Sequence, residues 1–241
     1  MSEHVTIIIP SRKRPGSIQA TSALFPTGIW CVSRTEADSY KTTQKIVHPD
    51  SLKGLAAKRQ WINDHVPGIV FQVDDDVSGL WVNVGEYGHK ITSADSILKI
   101  IENAAHVAQA WGAPVFGFSQ SWDVRKYDPH DPFSPTGWVG TAIGFIGREI
   151  KYDTTLTAQA DIDFCLRCLL KKRHIFIDQR YAFICKRFTN AGGSAGIRTA
   201  AEHEAQVRKV LDRWGRWASF RKAKSTIRLN AKVPRRQALT F

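Results

Sequence analysis

Residues Phe71–Trp81 read FQVDDDVSGLW. A short apolar run from Ile69 leads into three consecutive aspartates, Asp74, Asp75 and Asp76, and then into small residues. Like charges this close repel, so at the end of a buried strand they call for a cation. In α/β sheets ligands gather at the carboxyl ends of strands. If the extended backbone continues through the triplet, Asp74 and Asp76 point one way and Asp75 the other. The first and third then address one site together. A divalent metal, with its preference for hard oxygen ligands, is the cation that best suits two carboxylates plus substrate phosphates. The competing expectation is an Asp-rich turn whose side chains bond to nearby backbone.

Upstream of the triplet, Val5–Ile9 is a continuous apolar run of the kind buried on both faces of a sheet. It ends in PSRKRPG at 10–16, a turn rich in Pro, Gly and Arg. GIWCVS at 28–33 and KIVH at 45–48 read as further strands. A helix is expected from Ser51 as N-cap, with Leu52, Leu55, Ala56, Arg59 and Ile62 stepping at three and four. Gly68 breaks it before the strand that carries the aspartates.

Downstream, TSADSILKIIENAAHVAQAWG at 92–112 is the clearest helix, with a Ser start and Gly112 as its stop. PVFGFS at 114–119 and WVGTAIGFIG at 138–147 read as strands. The loop between them, with three prolines, is a candidate substrate-facing segment. ADIDFCLRCLLKKR from Ala160 is helical, HIFIDQRYAFICKRF from His174 is strand-like, and TNAGGSAG at 189–196 is a flexible loop. A last helix is expected from Thr199 to Lys224, with Val207, Val210, Leu211, Trp214, Trp217 and Ala218 as its stripe, followed by a basic tail. The alternation of strand and helix predicts an α/β fold with a mostly parallel central sheet flanked by helices.

The 241 residues are 43% hydrophobic and 23% charged, which is ordinary for a globular protein. No apolar run approaches the roughly 18 residues needed to span a bilayer. VTIII at 5–9 is too short for a signal-peptide core, so a cytoplasmic location is expected, the host cytoplasm if a phage encodes the chain. Cys31, Cys165, Cys168 and Cys185 have no zinc-site spacing and read as reduced, packed thiols. The net charge of +12 is concentrated: from Arg208 onward there are eleven Lys or Arg and one acid, Asp212. A nearly neutral body, 1–198, thus carries a basic helical extension, 199–241, suited to a polyanion or an anionic surface.

Taken in order, VTIIIPSRKRP, the helix with AAKRQWI, FQVDDDV and DIDFCLRCLLKKRHIFID resemble a GT-A fold glycosyltransferase, similar to glycosyltransferase family 2. The resemblance spans roughly residues 5–186. It implies a Rossmann-like GT-A domain that takes a UDP-sugar with Mn2+ or Mg2+. By this resemblance Pro10, Ser11, Arg12 and Arg14 line the nucleotide pocket, and Lys58 and Arg59 face the base or the diphosphate. Asp74, Asp75 and Asp76 form the DxD-type motif, with Asp76 and Asp74 on the metal and Asp74 near the ribose or sugar. Asp161 is the base that deprotonates the acceptor hydroxyl, which implies inversion at the anomeric carbon. Asp163 is a structural or capping residue, paired with Arg167.

The pattern departs from the family at two places. Its Glu before the base is Ala160 here. Its further metal-binding His falls near Cys185 and Lys186, neither a His. Lys186 or Arg187 is then expected to neutralise the departing diphosphate, with Asn190, Gly192, Gly193 and Arg198 of the loop closing over it; His203 is a more distant candidate ligand.

The acceptor is suggested by the basic extension. Cations track phosphates and aromatics stack on bases, which makes Arg213, Arg216, Arg221, Lys222 and Lys224, interleaved with Trp214, Trp217 and Phe220, candidate DNA contacts. The two Trp also fit packing onto the body. A GT-A body with such an element is similar to the TET-associated, phage-type DNA glycosyltransferases, which implies 5-hydroxymethyl pyrimidines in DNA, such as 5-hydroxymethylcytosine, as acceptors. The alternatives are an enzyme acting on a cell-surface glycan or lipid-linked acceptor, its basic element on anionic lipid, and an inactive nucleic-acid-binding protein.

Overall fold

The computed structural model describes residues 4–185, 199–221 and 226–230. Four strands, β1 (Val5–Pro10), β2 (Ile29–Ser33), β3 (Lys45–His48) and β4 (Ile69–Val73), lie parallel in the order β3-β2-β1-β4. Two antiparallel strands, β5 (Val77–Val84) and β6 (Tyr87–Ile91), leave this sheet directly after the aspartates. The main sheet resumes with β7 (Val115–Phe118), β8 (Phe133–Ser134), β9 (Ala142–Phe145) and β10 (Phe176–Asp178). Its full order is β3-β2-β1-β4-β9-β7-β10-β8. β9 runs antiparallel to both β4 and β7, so β7 points the same way as β4, and β10 is parallel to β7. The carboxyl ends of β1 to β4, β7 and β10 therefore share one edge. β11 (Tyr181–Cys185) pairs with β5 to complete a second, antiparallel sheet in the order β11-β5-β6.

Helices cover both faces. On one, Ile8, Cys31 and Val70 meet Ile62 of α2 (Gly54–His65), following α1 (Ile18–Leu24) in the chain. On the other, Ile7, Ile9, Phe71 and Val73 pack with Ile97, Ile101 and Ala104 of α3 (Ala94–Ala110). Burial on both faces explains why the central strands read as unbroken apolar runs. α4 (Ala160–Lys172) covers β7, β9 and β10 through Phe164, Cys165, Cys168 and Leu169. All four cysteines are unpaired, and burial pushes the Cys31 and Cys165 thiols up to about 12.

Gly144 is required by packing. It lies opposite Phe71 of β4 and Phe116 of β7, whose rings stack at 5.7 Å. A Cβ at this position would come within 2.4 Å of three Phe116 ring atoms. Gly144→Ala should therefore destabilise the protein by about 3 kcal/mol, at the upper end for overpacking a core; a urea unfolding curve measures it.

Several expected boundaries move, each for a local reason. α2 begins at Gly54, whose φ of +85° suits only glycine, and Ser51 belongs to the preceding turn in which Leu52 N donates to Pro49 O. The strand-like stretch from His174 is two strands in two sheets. Asp178 accepts from the backbone N, Nε and Nη2 of Arg180 and reverses the chain between them. The last helix, α5 (Ala200–Trp214), is closed at its N-terminus by a capping box between Thr199 and Glu202. It stops at Gly215, which has a φ of +48°, well before Lys224. A hairpin follows, β12 (Ala218–Arg221) with β13 (Thr226–Leu229).

The described residues of this extension pack onto the body. Val207, Val210, Ala218 and Ile227 share a core with Leu156, Ile162 and Leu166 of the body. Arg213 donates to Asp163, 2.7 Å, and to Asp153, 2.6 Å, and Trp214 Nε1 donates to Asp163 at 2.9 Å. Asp163 is fully buried and also paired with Arg167, the i+4 partner expected from the sequence.

Candidate active site

The turn at the end of β1 and the aspartates at the end of β4 meet at the shared carboxyl edge. The extended geometry stops at Val73, and Asp74 N donates to Thr141 O. The triplet is thus a turn, and strand parity does not sort its side chains. Asp75 is the most buried of the three, at 4% exposure. It accepts from Ser11 Oγ and from Arg14 Nη1 at 2.7 Å, while its carbonyl takes the Thr21 hydroxyl. It tethers the two turns to each other. Asp76 receives a longer contact from the same Arg14 nitrogen, 3.3 Å. Asp74 is held by a different group, Arg59 Nη2, at 3.0 Å.

The cations that answer the triplet within the chain are therefore guanidinium groups. Arg14 serves Asp75 and Asp76, and Arg59 serves Asp74. Burial still pushes the Asp74 carboxyl up to about 7 against the pull of Arg59, with Asp76, Asp161 and Asp75 adding to the rise. A third of its side chain meets solvent, and water there moderates this. Burial and the neighbouring Asp75 also raise Asp76. Both groups gain from an added divalent cation, which favours their charged form. Two hard-oxygen carboxylates fit Mn2+ or Mg2+ when a substrate diphosphate completes the shell. Among the described residues no group of three or more His, Cys, Asp or Glu is placed to hold a metal alone.

Lys58 and Arg59 are not a solvated helix face. Lys58 is buried and its Nζ donates to Ser11 O at 2.5 Å, fixing the turn after β1. Pro10 and Ser11 are buried there, Arg12 is half-buried and Lys13 takes a left-handed φ of 55°. Arg59 has no exposed surface. Its Nη1 donates to Asp161 Oδ1 at 2.5 Å, and its Nη2 to Gly140 O at 2.5 Å as well as to Asp74. Asp161 sits in the first turn of α4, where the helix dipole favours a carboxylate. Tyr152 OH donates to the same Oδ1 at 3.3 Å. Its other oxygen, Oδ2, lies 3.3 Å from the point where a Cβ on Gly140 would stand, beside the Trp138 ring. Three segments 15 to 102 residues apart are thus joined through one guanidinium.

The sequence reading missed several parts of this site. Tyr40 is fully buried and shares its hydroxyl with Ser11 Oγ, 2.7 Å, and Arg14 N, 3.1 Å. Tyr152 and Gly140 hold Asp161 and Arg59. None lies in a patterned motif, so only the fold brings them in. Cys185 Sγ lies 3.6 Å from the Thr141 hydroxyl, close to the aspartate turn, and His203 is half-buried on α5. Lys186, Arg187, Asn190, Gly192, Gly193, Arg198, Lys222 and Lys224 lie outside the described residues. Of the basic extension, Arg213 is committed to Asp153 and Asp163, whereas Arg216, Arg221 and Arg228 have no carboxylate partner among the described residues. Arg216 lies over the Trp217 ring, 4.7 Å from its centroid, and Trp217 and Phe220 are exposed.

A mixed α/β domain with a large central sheet and acidic turns at its carboxyl edge is the GT-A type of glycosyltransferase. A structure of S. aureus TarS, residues 1–349 in complex with UDP-GlcNAc, is similar in fold, with a TM-score of 0.51 and 13% identity over 92% of this chain and 69% of that one. The mannosyltransferase PcManGT from Pyrobaculum calidifontis, in complex with GDP-Man and Mn2+, aligns with a TM-score of 0.49 and 12% identity over 74% of this chain and 55% of that one. The chain belongs to the TET-associated glycosyltransferase family, whose model matches residues 5–193. A curated protein, the ureidoacrylate amidohydrolase RutB of Methylobacterium radiotolerans, is 26% identical over 104 residues, 42% of this chain and 40% of its own length. The chain thus spans well under two thirds of RutB and of the mannosyltransferase. No helix among the described residues is long and apolar enough to cross a membrane.

Proposed function

We propose that the chain is a metal-dependent glycosyltransferase that moves a sugar from a UDP-sugar to the hydroxyl of a 5-hydroxymethyl pyrimidine in DNA. The observation that carries this reading is the convergence of the β1 turn, the aspartate turn and Asp161 on one edge of a sheet in a member of this family. The nucleotide would lie against Pro10, Ser11, Arg12 and Arg14. Asp76 and Asp74 would hold Mn2+ or Mg2+, whose chemistry is to neutralise the leaving diphosphate. Asp161 Oδ2 would take the acceptor hydroxyl proton. The oxygen so freed bonds to the anomeric carbon from the far side, and the bond from that carbon to the diphosphate breaks with its electron pair going to the diphosphate. Inversion follows from such in-line displacement. Positioning of two substrates supplies much of the rate.

The basic hairpin supports the DNA acceptor. Arg221 and Arg228 are exposed and share one face of the hairpin, opposite the face that carries the buried Ile227. Each arginine that neutralises one phosphate adds about 0.9 to the slope of log affinity against log salt on duplex DNA. The double replacement Arg221→Glu with Arg228→Glu should cut that slope by about two and weaken DNA binding, with UDP binding unchanged. An unchanged slope in a fluorescence-anisotropy titration would remove the hairpin from the acceptor site. The catalytic reading is tested by calorimetry with UDP and Mn2+ and by UDP-sugar turnover; silence in both would leave a binding protein only.

A further inference from the structure

We propose that Arg59 is a positioning residue that sets which oxygen of Asp161 meets the acceptor and locks that oxygen to the donor-side carboxylate Asp74. The inference rests on the reading of Asp161 as the base. The sequence places Arg59 on a helix beside the donor, where it would be a phosphate ligand. The geometry assigns it otherwise: the guanidinium is fully buried, and its two terminal nitrogens are spent on Asp161, Asp74 and Gly140 O. A guanidinium buried on these three acceptors presents no solvent-facing edge to a diphosphate, and its Nε is buried without a hydrogen-bond partner among the described residues.

What it does instead follows from the two oxygens of Asp161. Oδ1 receives Arg59 Nη1 and the Tyr152 hydroxyl. Oδ2 is left toward the space over Gly140. A Cβ there would stand 3.3 Å from Oδ2 and 2.7 Å from a Trp138 ring atom, and Gly140 is not among the glycines with a left-handed φ. The missing side chain thus makes room for the Trp138 ring beside Oδ2 rather than relieving the backbone. Arg59 Nη2 fixes the same Gly140 through its carbonyl, so one side chain orients the base and holds the wall beside it. Because the same nitrogen reaches Asp74, the base and the donor-side aspartate keep a set separation. Arginine is needed for this because its planar fork serves several acceptors at once, whereas lysine offers a single ammonium.

The test compares Arg59→Lys and Tyr152→Phe with the unmodified protein, using UDP with Mn2+ in calorimetry, thermal melting, and initial rates of transfer. For Arg59→Lys we expect UDP affinity within about threefold and kcat lowered at least tenfold with little change in donor KM. Tyr152→Phe, which leaves Arg59 in place, should lower kcat by a smaller factor and keep UDP affinity. If Arg59→Lys loses UDP binding while its melting temperature holds, Arg59 is a donor ligand and the proposal is overturned. If kcat per folded molecule is unchanged in both variants, the contacts are merely structural and it is overturned as well. Should Arg59→Lys fail to fold, Tyr152→Phe decides alone: an unchanged kcat overturns the proposal. Failure of the base reading itself is distinguishable, because Asp161→Asn would then remain active.

Discussion

Asp161→Asn is expected to lower kcat for sugar transfer by about 100- to 10,000-fold, the usual range for a general base, with UDP affinity little changed. Asparagine preserves the shape of the side chain and keeps an oxygen for Arg59 Nη1 and Tyr152 OH, so the network around it has its acceptor. What is lost is the carboxylate that takes the proton. The variant also leaves the buried Arg59 with Asp74 as its remaining carboxylate partner, so some loss of stability is expected alongside. Kinetics normalised to folded protein, with a melting curve for each sample, separate the two effects. A variant with full kcat would remove Asp161 from the chemistry.

The second large effect is expected at Asp76. Asp76→Ala should weaken UDP-sugar binding in the presence of Mn2+ by about 100-fold or more, since loss of a carboxylate ligand costs at least as much as loss of its supporting partner. Binding of UDP without metal should change far less. Asp75→Ala is a different kind of lesion. Asp75 accepts from Ser11 and Arg14 and is 4% exposed, so its removal takes away the carboxylate that ties the β1 turn to the aspartate turn. Calorimetry of Asp76→Ala with and without Mn2+ reads the distinction directly. An affinity in the presence of Mn2+ unchanged from that of the unmodified protein would show that Asp76 holds no metal.

Strands buried on both faces were legible because every residue of Val5–Pro10 and Ile69–Val73 had to be compatible with a core. The order of the motifs along the chain was legible for the same reason, as each turn follows such a strand. The antiparallel hairpin after the aspartates was not. Val77, Gly79 and Leu80 are buried in the central strand between β6 and β11, yet small residues next to three acids carry the signature of a loop. The end of α5 was hidden because the apolar stripe runs on through Trp217 and Ala218, while Gly215 alone, with its positive φ, redirects the chain. At the site, the repulsion within the triplet pointed to a divalent metal. That the chain itself supplies two arginines was not legible, because Arg14 and Arg59 reach the aspartates across 62 and 15 residues of sequence. Strand parity, valid to Val73, turned Asp75 away and paired Asp74 with Asp76. The turn makes Asp75 a tether and places Asp74 with Arg59, which also holds Asp161.

Duplex oligonucleotides carrying either 5-hydroxymethylcytosine or cytosine, incubated with the full chain, Mn2+ and a panel of UDP-sugars, are resolved by mass spectrometry. The predicted result is a gain of one sugar residue per hydroxymethylated base, with at least one donor and none on cytosine. No gain with any donor, while the same protein transfers sugar to a glycan or lipid-linked acceptor, would contradict it.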